Sequence, residues 1–497
     1  MATHPTQVFF ICLLFCVFFS SHSSEAISSG KVVTYLPGLP VQPLPFHLET
    51  GYIGVGGSST DESSTHSDST DEDANQLFYY FVKSERNPKE DPLILWLTGG
   101  PRCSGLSPFV FKRGPIQIDK VVDYKNGSLP TFTLNPYSWT KFANMIFLDQ
   151  PVGTGFSYYS KSSDESGMGD ILSAQNTCEF LIKWLIQNPE FQSNPLYISG
   201  DSYSGVTIPI IVQDLIRDTE VGKYPFLNFQ GYTLGNPITD HRLELNSYVP
   251  FAYGMGFVSY ELYQSMRENC RGNFIDFDLS NVNCMNDLQV FENLVSGINR
   301  NQVLEPLCHK TFITSPTPKE MLKDRHRRSL AKVEEGFVAA EKVHAFQASC
   351  SRAYTYVLLE YWANDDEVQK ALHVREGTIK NWMRCNYDLS YEHEIDNVVE
   401  YHQNISTKGY RSLVYSGDHD MIVPHISTEA WIRTLNNLSI TEEWHPWFVD
   451  GQVAGYTRTY SNGLTYATVK ASGHTAPEYN PKECYAMFER WISNTPL

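Results

Sequence analysis

Gly200-Asp201-Ser202-Tyr203-Ser204-Gly205 follows the short apolar run Leu196-Tyr197-Ile198-Ser199, and the reading of this junction decides the fold. A serine hydroxyl is a poor nucleophile unless a base takes its proton and a third group orients that base. One protein solution seats the serine on a strained strand-to-helix elbow, Gly-x-Ser-x-Gly, followed along the chain by an acid and then a histidine. Here Ser204 stands in the place of the second glycine, and Gly205 comes one residue later. A lone Gly-x-Ser with a glycine nearby also fits an ordinary turn, so the case rests on the rest of the chain.

Downstream, Ser412-Leu-Val-Tyr415 runs into Gly417-Asp418-His419-Asp420, and Leu464-Thr-Tyr-Ala-Thr-Val469 ends in Ala471-Ser-Gly-His474. The order Ser202, Asp420, His474, each just beyond a strand-like run, is that of an α/β-hydrolase triad. Asp418 competes for the acid role. Asp420 is preferred because its later position gives the side chain room to turn back toward His474. His419 and His425 have no third ligand at useful spacing, and no metal or cofactor is implied. An oxyanion hole needs two backbone N–H groups aimed at the developing charge. Tyr203, after the nucleophile, would supply one; Gly100, in the turn Thr98-Gly99-Gly100-Pro101 after Leu93-Ile-Leu-Trp-Leu97, would supply the other.

Strand-like and helix-like segments alternate around these motifs. Met145-Ile-Phe-Leu148 ends in Asp149-Gln150-Pro151, and Leu172, Phe180, Leu181, Trp184 and Leu185 recur at helical spacing before the Ser202 strand. This predicts an α/β-hydrolase fold: a mostly parallel central sheet with helices on both faces and an inserted lid region, chemistry gathering at the strands' carboxyl ends.

The 497 residues carry 38 basic and 56 acidic side chains, a net charge of −18, which argues against nucleic-acid binding. Residues 8–19 are an apolar run too short to span a bilayer, followed by small residues, so 1–26 reads as a cleaved signal peptide with no membrane attachment afterwards. Cys12 and Cys16 leave with it. Cys103, Cys178, Cys270, Cys284, Cys308, Cys350, Cys385 and Cys484 remain, free to pair in an oxidising compartment in a connectivity that spacing does not reveal. Asn126, Asn404 and Asn437 head glycosylation sequons. Residues 58–73 offer nothing apolar to bury and read as a solvated acidic loop. The stretch 310–344 holds the basic cluster Lys323-Asp-Arg-His-Arg-Arg328, read from charge as a helix face or an exposed processing site.

Taken together, Trp96-Leu-Thr-Gly-Gly-Pro-Arg-Cys-Ser104, Asp149-Gln-Pro-Val-Gly-Thr-Gly-Phe-Ser157, Gly200–Gly205, Tyr415-Ser-Gly-Asp-His-Asp420 and Gly473-His474 resemble the serine carboxypeptidase family, most closely its plant acyltransferase branch. The likeness runs from about Val33 to the C-terminus. It implies Ser202, Asp420 and His474 as triad, Gly100 and Tyr203 as oxyanion donors, and disulfides Cys103–Cys385, Cys270–Cys284 and Cys308–Cys350. It assigns no partner to Cys178 or Cys484. Core segments 27–239 and 396–497 would flank a lid at 240–395, whose Tyr248, Phe251 and Tyr253 are read as lid core. Several relatives excise the segment between the last cysteine pair, which would leave two disulfide-linked chains here, with the cut stretch at about 310–344. The implied setting is the secretory pathway, with the vacuole preferred over the cell exterior.

The family's peptidases bind a C-terminal carboxylate with an Asn at the position of Thr98 and a Glu at that of Asp201. Thr98 offers one hydroxyl in place of two amide N–H donors, and Asp201 is a methylene shorter; a lost polar contact can cost several powers of ten in discrimination. With Gly99, these residues form the expected substrate contacts. The wording Asp-Ser-Tyr-Ser-Gly resembles acyltransferases that use 1-O-acyl-glucose esters, so transfer of the acyl group to an alcohol is the first expectation and release of C-terminal amino acids the second. Arg102 stands where the family carries glycine, and is expected to distort the oxyanion turn, obstruct the cleft or bind an anionic substrate group. A non-catalytic companion of an active paralogue is the third expectation, and the retained triad argues against it.

Overall fold

The computed structural model describes residues 30–56, 74–119, 128–161, 167–224, 226–308, 350–436 and 438–497. Residues 1–26, 58–73 and 310–344, with Asn126 and Asn437, lie outside the described residues.

In chain order the strands are β1 (Lys31–Val33), β2 (Leu48–Val55), β3 (Asn75–Val82), β4 (Leu93–Leu97), β5 (Ile116–Ile118), β6 (Phe132–Leu134), β7 (Asn144–Leu148), β8 (Leu196–Asp201), β9 (Phe229–Gly235), β10 (Arg411–Gly417), β11 (Ile440–Val449), β12 (Gln452–Tyr460) and β13 (Leu464–Val469). All but β5 and β6, which pair with each other, form an 11-stranded sheet in the order β1-β2-β3-β7-β4-β8-β9-β10-β13-β12-β11. From β7 to β13 every neighbour is parallel; the outer strands on both sides are antiparallel. The parallel centre is therefore the α/β-hydrolase sheet the alternation predicts, with antiparallel margins.

The strands of this parallel centre are covered on both faces. Every residue of β4 and β7 is buried, the near-continuous hydrophobic run that a sheet covered on both sides requires. Successive side chains alternate between faces. Leu93, Leu95 and Leu97 join a core with Phe180, Trp184 and Ile208, whereas Ile94 and Trp96 join one with Trp139, Phe488 and Trp491.

The helices are α1 (Leu106–Val110), α2 (Asp170–Gln187) and α3 (Ser204–Glu220), then α4 (His241–Gly254), α5 (Tyr260–Asn269), α6 (Val282–Val295), α7 (Ser351–Ala363) and α8 (Asp366–Ala371) between β9 and β10. After these come α9 (Val399–Ser406), α10 (His425–Thr434), α11 (Ala476–Tyr479) and α12 (Pro481–Ile492). On α2, Phe180, Leu181, Trp184 and Leu185 are buried as their spacing predicts, but Leu172 is exposed. Eight residues ahead of Phe180 puts it about 80° round the helix, off the buried stripe, at 3.6 residues per turn. Helices α4 to α6 carry a small core of their own around Tyr248, Phe251, Met266 and Phe291. Tyr253 does not join that core; it is 37% exposed and stacks on Tyr263. Among the described residues no helix is long and apolar enough to cross a membrane.

Candidate active site

Ser202 sits between the end of β8 and the start of α3 with φ of 55°, a left-handed backbone that a side-chain-bearing residue adopts only when its surroundings impose it. Those surroundings leave little room. A Cβ on Gly200 would lie 2.5 Å from the Leu97 carbonyl oxygen, and one on Gly205 2.3 Å from that of Ile238. Gly205 thus serves where the usual pattern has its second glycine. Ser204 fits in the intervening place because its buried hydroxyl donates to the Leu97 carbonyl at 2.9 Å.

The carboxyl ends of β8, β10 and β13 bring Ser202, Asp420 and His474 together. Ser202 Oγ lies 2.7 Å from His474 Nε2, and His474 Nδ1 lies 2.8 Å from Asp420 Oδ2. An ionised carboxylate only accepts, so Nδ1 carries the proton and Nε2 presents a lone pair to the serine hydroxyl. Asp420 is fully buried, and its two oxygens are further held by Asn236 Nδ2 at 2.8 Å and the Ile422 N–H at 2.7 Å. Asp418 instead accepts from the Ala471 N–H and contacts its neighbour His419. Asn236 was not singled out from the sequence; its place after β9, in Gly235-Asn236-Pro237, was the available signal.

Gly99 packs against Ser202, and Gly100 lines the same cleft. A Cβ on Gly99 would come within 2.6 Å of Ser202 Cβ, so only glycine lets the β4 turn close on the serine. Tyr203 caps α3, where a helix leaves its first N–H groups without internal partners. Its hydroxyl donates to Asp170 Oδ1 at 2.8 Å, and Tyr391 donates to the same oxygen at 2.9 Å. The Tyr203 proton being committed there, His393 Nδ1, 2.6 Å away, carries the hydrogen of that contact. Burial, helped by the charge of Arg102, lowers the His393 pKa to about 4. Asp170 and His393 escaped sequence reasoning because their relation to Tyr203 spans distant parts of the chain.

Asp201 points to the other side of the junction. Its Oδ1 accepts the Gly99 N–H at 3.3 Å, and its Oδ2 is ion-paired with Arg113 at 2.7 Å. Arg113 also lies over the Trp96 ring, 4.3 Å from its centroid. Burial works against this guanidinium's charge, yet Asp201 and its other neighbours hold its pKa above the ordinary arginine value. Nothing in the sequence marks Arg113, which follows α1 as one cation among many.

The cleft over Ser202 is lined by Thr98, Gly99, Gly100, Asp201 and Ser202, by His474, Thr475 and Glu478, and by Cys103, Ser107, Pro108, Arg113, Asn301, Arg384, Tyr387 and Ile422. The Thr98 hydroxyl is buried in its wall without a hydrogen-bond partner among the described residues. Burial raises the pKa of Glu478 most, against the lowering effects of Arg352, Tyr356, Arg113 and Arg384. Arg102, expected among the substrate contacts, does not line the cleft. Its φ of 76° turns the side chain away, and Nη1 donates to the carbonyls of Tyr387 and Leu389 at 3.2 and 2.5 Å. Those acceptors and the Tyr387 and Tyr391 rings give the buried cation its environment. Disulfides join Cys103 to Cys385, Cys270 to Cys284 and Cys308 to Cys350, while Cys178 and Cys484 are free thiols. Asn404 is exposed on α9.

Residues 37–494 match the family model described as serine carboxypeptidase. Among curated proteins, the chain is 45% identical to serine carboxypeptidase-like 17 of Arabidopsis thaliana, with 95% of each chain covered. It is 44% identical to serine carboxypeptidase-like 12 of the same plant, with 98% of each covered. Among solved structures, it resembles a prohormone-processing carboxypeptidase of Saccharomyces cerevisiae, with a TM-score of 0.68 at 19% identity, covering 93% of this chain and 95% of the other.

Proposed function

Since the chain belongs to the serine carboxypeptidase family, we propose that it is an acyltransferase moving an acyl group from a 1-O-acyl-glucose ester to an alcohol through an acyl-Ser202 intermediate. The observation that carries this reading is the Asp201–Arg113 ion pair. A peptidase needs donors free to hold a C-terminal carboxylate. Here the carboxylate beside the nucleophile is engaged by a buried guanidinium and by the Gly99 N–H, and Thr98 brings a single hydroxyl. With Asp201 committed to Arg113 and to the Gly99 N–H, it is not free to serve an incoming carboxylate, whereas a neutral sugar ester needs no such partner.

In the first half-reaction Ser202 Oγ attacks the ester carbonyl carbon while His474 Nε2 takes its proton. The N–H groups of Gly100 and Tyr203 hold the oxyanion, and the sugar oxygen leaves with the proton from His474. In the second, His474 takes the proton of an acceptor hydroxyl, whose oxygen attacks the acyl carbon; the bond to Ser202 Oγ breaks and Oγ takes that proton back from His474. Asp420 keeps the imidazole in the required tautomer and offsets its transient charge. The disulfides fit folding in the secretory pathway, and the vacuole is the proposed destination. If the chain is cut between Cys308 and Cys350, their disulfide would hold the pieces together.

The deciding experiment incubates the purified protein, beside Ser202→Ala, with an acyl-glucose plus assorted alcohols and separately with N-blocked dipeptides. Ester formed on an alcohol, lost in the variant, is the expected result. Amino-acid release without transfer product overturns it in favour of a carboxypeptidase. No turnover in either assay, with Ser202 inert to acylating probes, points to a non-catalytic companion.

A further inference from the structure

The segment Arg300–Glu305, which follows α6, lies against both loops that carry the acid and the base. Against the acid loop, the Met421 N–H donates to the Arg300 carbonyl at 2.9 Å and the Val303 N–H to the His419 carbonyl at 3.1 Å. Against the base loop, the N–H of His474 itself donates to the Asn301 carbonyl at 2.7 Å. Gln302, 3% exposed, adds Nε2 to the Ala471 carbonyl at 2.9 Å while its Oε1 accepts the Leu304 N–H at 3.1 Å. The approach is close enough that a Cβ on Gly473 would lie 2.1 Å from the Asn301 carbonyl oxygen.

Asp420 and His474 stand on loops that leave separate strands and meet in a hydrogen bond. A backbone bridge bonded to both loops fixes the distance between them, as preorganisation of a base requires. The bridge is itself anchored at each end. Arg300 pairs with Glu292 of α6 at 2.7 Å. Glu305 pairs at 3.1 Å with Arg352 of α7, which also donates to the Glu478 carbonyl and stacks over Tyr479, both on α11 just past His474. The anchors therefore tie the bridge to the His474 segment a second time.

We propose that Arg300–Glu305 is a strap holding the Asp420 and His474 loops in register, with Gln302 as its positioning side chain. The strap acts through His474, whose N–H its Asn301 carbonyl accepts. This inference rests on the reading of Ser202, Asp420 and His474 as a triad, and its test needs no knowledge of the substrate. A sulfonyl fluoride probe sulfonylates the Ser202 oxygen and releases fluoride, so its second-order inactivation rate reads the activation of Ser202. Gln302→Met keeps the side chain's shape and removes both hydrogen bonds; Gln302→Glu removes the donor to Ala471 but keeps an acceptor for Leu304.

Both variants, counted per folded molecule, should react about 10- to 100-fold more slowly, the range a small misplacement of a catalytic group produces. The low-field proton resonance of the His474–Asp420 bond should shift or broaden in both. A purely structural Gln302 would lower the melting temperature while leaving rate and resonance at wild-type values, and that result overturns the strap. If a variant fails to fold, Arg352→Lys and Arg352→Ala repeat the measurement at the anchor, with Lys expected to retain more rate than Ala and equal wild-type rates overturning the proposal. Wild-type protein that is not labelled at Ser202 refutes the triad reading, and the strap with it. Labelled wild type with unchanged variants refutes the strap alone.

Discussion

Arg113 Nη2 donates to Asp201 Oδ2 across 2.7 Å, and the two side chains are only 1% and 5% exposed. The residue next to Ser202 is thus half of a buried ion pair. Breaking such a pair from one side leaves a buried charge without compensation, which costs about 3–5 kcal/mol. Arg113→Met and Asp201→Ala should each lower unfolding free energy by about that amount in urea titrations. The double variant should recover part of the loss. Single losses below about 1 kcal/mol would mean that the pair behaves like a solvated surface contact.

Restoring both carboxylate-binding side chains tests the substrate reading. In Thr98→Asn/Asp201→Glu, the amide adds donors at the cleft wall and the longer acid reaches past the site now engaged by Arg113. Dipeptide hydrolysis relative to alcohol transfer should rise about 100-fold or more, given what one designed polar contact contributes to discrimination. An unchanged ratio would place the determinant elsewhere in the cleft.

In the proposed triad Asp420 acts through His474, so its charge should matter more to rate than to folding. Asp420→Asn should slow acylation of Ser202 by about 10⁴-fold, because the wrong tautomer is favoured. Asn236→Ala removes one donor to Asp420 Oδ2 and should cost on the order of tenfold. Stopped-flow measurement of acylation with a chromogenic ester checks both.

Arg102 occupies a left-handed backbone position outside the cleft. Arg102→Gly relieves that backbone, worth about 1 kcal/mol, while giving up the contacts to the Tyr387 and Leu389 carbonyls. Transfer activity should stay within about threefold of wild type, a change of under 1 kcal/mol in the barrier. Loss of activity would show that the Tyr387 segment, which lines the cleft, depends on this anchor.

His402 is buried against Trp431 with its Nδ1 2.8 Å from the Tyr232 hydroxyl, and burial lowers its pKa to about 3. Protonation is therefore easier in the unfolded chain than in the folded one. Its stabilising contribution is complete above the unfolded value near 6.5 and is lost as pH falls from there toward 3. Between pH 7 and 4.5 this site should cost on the order of 2–3 kcal/mol. His402→Phe, which keeps the stack on Trp431, should flatten the acid side of the urea-midpoint profile; an unaltered slope would assign that side to other groups.

The strands that carry the candidate site were legible because each is a continuous apolar run ending in turn residues: Leu93–Leu97, Leu196–Ser199 and Leu464–Val469 need no partner to be recognised. The antiparallel margins were not, since β2 and β3 are buried much as the central strands are and their direction depends on connections rather than composition. Leu172 and Tyr253 mislead for a related reason. Apolar character says that a residue can be buried, while the helix phase and the neighbouring helix decide whether it is.

By itself, the sequence determined the order Ser202, Asp420, His474, the glycines that let the turn after β4 close on the serine, and the family, because these depend on residue type and local spacing. Only the tertiary structure decided the pairing of Asp201 with Arg113, the outward turn of Arg102 and the contact of Gln302 with the His474 loop. Each of these joins residues far apart in the chain, and burial selects such partners by geometry and charge, which no local pattern of residues records.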